Sequence, residues 1–107
     1  MTKVLHVTIG RNVNGKPMSD DEWTMFVRMV GTGVFMSQDI AENAKPTLEE
    51  THYGMGEWNG IAEESAIISL ITDNPLNEKM LKDWLIHMKH EFHQDAIAYQ
   101  YAESELI

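Results

Sequence analysis

An α+β sandwich with a single four-stranded sheet and two helices is the fold class that this sequence predicts. Three observations predict it. Apolar residues alternate with period two in Lys3–Ile9 and again in Asp95–Tyr101. They recur at helical spacing behind Ser19 and behind Asp73. The segments follow one another in the order β-α-β-β-α-β, and 107 residues fit one domain over 1–107.

In the first strand Leu5, Val7 and Ile9 face one way and Val4, His6 and Thr8 the other, giving one strongly apolar face. Gly10–Pro17 is rich in turn formers. Ser19-Asp20-Asp21-Glu22 is a capping box, with serine at the N-cap and glutamate three residues later. Its acids also suit the positive end of the helix dipole. Trp23, Phe26, Val27 and Val30 then form one helical stripe. Gly31 and Gly33 are expected to end or loosen this helix, with a brief continuation over Val34–Ile40. Glu42–Pro46 reads as loop, Thr47–Tyr53 as the second strand and Gly54–Gly60 as a glycine-rich hairpin connection.

The third strand, Glu63–Thr72, is apolar on both faces: Ala66, Ile68 and Leu70 on one, Ile67 and Ile71 on the other. Such a strand sits in the middle of a sheet with both faces covered. Asp73-Asn74-Pro75 opens the second helix, with proline near its first turn. Leu81, Trp84, Leu85, Met88 and Phe92 make its apolar face. A final strand runs over Asp95–Tyr101, where Ile97, Tyr99 and Tyr101 alternate. The element order is the ferredoxin-like pattern, with both helices on one face of an antiparallel sheet. The opposite face then carries apolar residues of the third strand, so a ligand or a partner chain, such as a second copy in a homo-oligomer, is expected against it.

Composition narrows the function classes. The net charge is −9, from 17 acids against 8 bases. Such a surface repels phosphate backbones, which argues against direct nucleic-acid binding. The acids are scattered rather than laddered, so they read as solubility, with mimicry of a nucleic acid as the alternative. The absence of cysteine excludes disulfides and thiolate chemistry and agrees with a reducing compartment. No signal peptide is visible at the N-terminus, and the longest apolar run, Ala66–Leu70, is far too short for a bilayer. A soluble cytoplasmic protein with no membrane contact is expected.

Several constellations invite a chemical reading. His87, His90 and His93 share a helix but fan out at about 100° per residue, so no metal site is expected from them. Gly54, Gly56 and Gly60 miss the dinucleotide fingerprint by one residue and precede a strand rather than a helix. Glu63 and Glu64 point to opposite faces of a strand and cannot form a close dyad. No catalytic residue and no cofactor are assigned, and no nucleophile motif is present. The strongest candidate is Trp58, which lies in the polar connection with Tyr53, Glu57, Asn59 and Glu63 nearby. An aromatic plane among amides and carboxylates suits a flat polar ligand such as a base. Arg11 and Asn12, after the first strand, are the candidates for phosphate contacts.

Three short motifs also carry a resemblance. They are Gly10-Arg11-Asn12 followed by Trp23 and Phe26, then Gly56-Glu57-Trp58-Asn59-Gly60-Ile61-Ala62-Glu63-Glu64-Ser65, then Phe92-His93-Gln94-Asp95-Ala96-Ile97-Ala98. In these the chain resembles small phage and prophage accessory proteins, with the glutamate of the middle motif doubled here. The resemblance implies a viral accessory protein of ferredoxin-like fold, in the host cytosol, and no particular reaction. Expected of it is an oligomeric binding protein that sequesters a small polar ligand, such as a nucleotide immune signal, against host defence. Trp58 and Tyr53 would stack, Arg11 would meet phosphate, and Asn12, Asn59 and Glu63 would read polar edges. The alternatives are an acidic inhibitor of a host defence protein and a small enzyme using His6 or His52 as a base.

Overall fold

The first strand, β1 (Lys3–Gly10), alternates as its sequence demands: Leu5, Val7 and Ile9 are buried and their neighbours only partly so. The computed structural model describes residues 1–105 and 107. After β1 the chain makes a small hairpin, β2 (Asn12–Val13) and β3 (Lys16–Pro17), turned at Asn14 and Gly15, both at positive φ. Helix α1 (Asp20–Met36) begins at the expected cap, where Ser19 Oγ accepts the Glu22 N–H at 3.2 Å. Then come β4 (Glu50–Trp58), β5 (Ile61–Thr72), α2 (Glu78–Glu91) and β6 (Ala98–Glu103). Among the described residues no helix is long and apolar enough to cross a membrane.

The four long strands pair antiparallel in the order β4-β5-β1-β6, which is the ferredoxin-like arrangement. The core lies between the sheet and the two helices. Leu5, Val7, Ile9, Ala66, Ile68 and Leu70 meet Phe26, Val30 and Val34 of α1 and Leu81, Leu85 and Met88 of α2. The rings of Phe26 and Phe92 stack at 4.6 Å between centroids. On the other face of the sheet, Ile61, Ile67, Ile71 and Trp58 are exposed. His6 and Ser69, paired across β1 and β5, are joined there by a 2.7 Å hydrogen bond.

Five boundaries differ from the sequence reading, each for a local reason. The second helix opens not at Asp73-Asn74-Pro75 but at Glu78, where Asn77 is the N-cap and its side-chain oxygen accepts the Met80 N–H at 3.1 Å. Helix α1 is not broken at Gly31 or Gly33 but runs to Met36. Gly33 serves packing instead: a Cβ there would lie 2.1 Å from Trp84 Cδ1, and Trp84 Nε1 donates to the Met29 carbonyl at 3.0 Å. The second strand starts at Glu50 rather than Thr47 because Gln38 claims the Thr47 backbone. Its amide oxygen accepts the Thr47 N–H at 2.9 Å and its nitrogen donates to the Thr47 carbonyl at 2.8 Å.

Glycines 54 and 56 lie within β4, and the hairpin turns in two residues, Asn59 and Gly60, both at positive φ. Asn-Gly is the dipeptide that such a turn favours. The last strand begins at Ala98 rather than Asp95, because the Gln94 amide nitrogen donates to the Asn12 carbonyl at 3.2 Å and diverts the chain before it reaches β1.

Two outcomes follow for stability. Gly33→Ala forces Trp84 away from α1 and is expected to cost about 1–3 kcal/mol by overpacking, read by urea denaturation. Tyr99 donates its hydroxyl to the Glu78 carboxylate and so ties β6 to α2. Burial, and then this bond, raise the Tyr99 phenol above its ordinary pKa of 10.0. A phenol raised in the folded state adds stability that is complete below about pH 10 and is lost as pH climbs above it. Tyr99→Phe is therefore expected to flatten the fall in stability above about pH 10, in denaturation curves taken across that range.

Candidate functional site

A cleft of about 320 Å³ opens at one end of the uncovered sheet face. Its existence follows from strand lengths. The segment Gln94–Ile97 peels away from β1 before β6 begins, which leaves a gap beside Thr8 and Gly10. The tip of the β4–β5 hairpin closes the opposite side with Glu57, Trp58 and Asn59. The β2–β3 hairpin adds Asn12 and Asn14 at the end. Glu63 and Ser65 of β5 form the floor with Gly10 and Gly56.

The side chains are placed by ordinary strand geometry. Trp58 is the last residue of β4, opposite Ile61, and is 47% exposed. The two-residue turn behind it fixes its direction. Glu63 Oε2 accepts the backbone N–H of Asn12 at 3.0 Å, joining floor to end wall. The Asn12 carbonyl in turn accepts from Gln94, joining end wall to side wall. Glu63 and Asp95 line the cleft with acidic side chains, Glu57 borders it from a strand position that shares the parity of Tyr53, and among the described residues no lysine or arginine lines it. The arrangement therefore offers an aromatic plane, amides and negative charge, which suits a flat ligand of neutral or positive charge.

Of the residues singled out from the sequence, Asn12, Glu57, Trp58, Asn59 and Glu63 meet in this cleft. Arg11 and Tyr53 do not. Arg11 lies on the other side of the sheet, where its guanidinium bonds Asp20 at 2.6 Å, Glu64 at 2.8 Å and the Met18 carbonyl at 2.8 Å. Hydrogen bonds to Asp20 and Glu64 raise its pKa further above the ordinary value. It is a latch between α1 and β5 and is not among the residues that line the cleft. Tyr53 pairs with Ala66, so it faces the helices, with its ring 6.5 Å from that of Trp23.

The sequence reading missed Gly10, Ser65, Gln94 and Asp95 as site residues. A signal was present: the three motifs that carry the resemblance to phage proteins each contribute to this one cleft.

No family model matches the chain, and no curated protein matches it by sequence. Solved structures do match its fold. It superposes on a phage SAM lyase in complex with S-methyl-5'-thioadenosine with a TM-score of 0.59 at 15% identity, covering 95% of this chain and 81% of that one. A phage SAM lyase in its apo state gives a TM-score of 0.57 at 14% identity, covering 94% of this chain and 79% of that one. At these identities the likeness shows a shared fold.

Because Arg11 stands outside the cleft, Arg11→Ala is expected to lower the melting temperature while leaving the indole NMR signal of Trp58 in place. A shift of that signal as large as one caused by a change at Asn59 would contradict the placement of Arg11.

Proposed function

We propose that this chain is a small phage-type accessory protein that takes a cationic nucleoside of the S-adenosylmethionine class into the cleft beside Trp58. The observation that carries the reading is the charge of the cleft: the acidic residues Glu63 and Asp95, an exposed Trp58, and no lysine or arginine among the described lining residues. A phosphorylated signal would enter against that charge and find Arg11 already engaged. A sulfonium nucleoside brings a positive centre for the carboxylates and a purine for the indole. The fold shared with a phage SAM lyase supports the same ligand class.

The reading includes self-association. The exposed isoleucines 61, 67 and 71 give the open sheet face an apolar surface that a second copy would cover. A site completed across that interface would still have the cleft as its floor.

Isothermal titration tests the ligand. S-adenosylmethionine is expected to bind, Trp58→Ala to weaken it about tenfold or more at unchanged fold, and adenosine triphosphate not to bind. Chromatography of the mixture decides the fate of the ligand. Intact S-adenosylmethionine makes the protein a sequestering one; release of S-methyl-5'-thioadenosine with homoserine lactone makes it a lyase, and with homoserine a hydrolase. Tight binding of the triphosphate with none of the sulfonium compound would sink the reading.

A further inference from the structure

The charge of the cleft centres on Glu63, and the residue that places Glu63 is Gly10. Pairing sets Glu63 opposite Gly56, yet its carboxylate leans the other way, over β1. A Cβ on residue 10 would lie 2.2 Å from Glu63 Oε1 and 2.6 Å from Oε2. Gly10 is not at positive φ, so its backbone does not require glycine; the carboxylate above it does. One oxygen, Oε2, is held by the Asn12 N–H. The neighbouring Ser65 hydroxyl occupies the equivalent space over Gly56, 2.6 Å from where a Cβ would sit. Two glycines thus keep the floor low, and the carboxylate lies along it rather than standing in the cleft.

We propose that Gly10 is a positioning residue, holding the Glu63 carboxylate where it selects a cationic sulfonium nucleoside over the neutral thioether of the same shape. The inference rests on the cationic-nucleoside reading above. Both compounds present the same purine to Trp58, so stacking does not separate them. Charge does, and a carboxylate already fixed by a backbone N–H loses little freedom on meeting its partner. An alanine at residue 10 drives the carboxylate off the Asn12 N–H. What yields is the end of a flexible side chain rather than backbone, so the fold survives while the charge moves.

The test is titration of wild type, Gly10→Ala, Glu63→Gln and the double variant. The probes are S-adenosylmethionine and S-adenosylhomocysteine, with the unreactive ammonium analogue sinefungin replacing the first if chromatography shows it consumed. Wild type is expected to prefer the cation, and each single variant to lose about tenfold in cation affinity while holding the thioether within about twofold, the scale of one charge-assisted contact. The double variant is expected to match Glu63→Gln, since both changes remove one interaction. Unchanged preference in either single variant, or equal loss of both probes, overturns the inference and leaves the ligand class standing. Failure of wild type to bind either probe overturns the ligand class and this inference with it. If Gly10→Ala does not fold, Gly10→Ala/Glu63→Ala is expected to fold, because the group that residue 10 must clear is gone; its failure overturns the positioning role.

Discussion

The alternation of β5 is the constraint on which both the core and the cleft depend. Its 12 residues pair with β4 on one side and with β1 on the other. Even-numbered Ala66, Ile68 and Leu70 are driven under the helices by burial. Glu63, Ser65 and Ile67 are thereby committed to the uncovered face. A slip of one residue would expose three buried apolar side chains and send Glu63 into the helical layer, so core packing itself enforces the position of the cleft floor. The same alternation parts Glu63 from Glu64. One joins the floor, and the other joins Arg11 on the far side.

That separation organises the electrostatics. The chain has few bases for its acids, and it commits Arg11 to an internal latch between Asp20 and Glu64. The cleft carboxylates keep their negative field as a result. Asn12 connects the two sides: it follows Arg11 directly, and its N–H turns to Glu63 while Arg11 turns away. A short segment after β1 thus anchors α1 and shapes the site at once.

The element order was legible because it rests on periods of two and 3.6 and on a capping box, all local signals. Three of the boundaries that were misread depend on partners distant in sequence: Gln38 on Thr47, Trp84 on Gly33, Gln94 on Asn12. Half of the site was legible for the same reason. Trp58 and Asn59 stood out by composition, but Arg11 could be placed only by knowing that Glu64 and Asp20 converge on it. Tyr53 was a different kind of miss. Five residues separate it from Trp58, which in a continuous strand puts them on opposite faces. Reading Gly54–Gly60 as a loop concealed this parity.

The Asn59–Gly60 turn has a consequence for how such a site can change. With two residues, both in the left-handed region, the loop has no slack. An inserted residue would alter the turn type and rotate the end of β4, carrying Trp58 away from its place beside the floor. Diversity in what the cleft accepts must come from exchanging side chains along fixed strands, since the frame does not tolerate a change in length at the point where the aromatic wall is mounted.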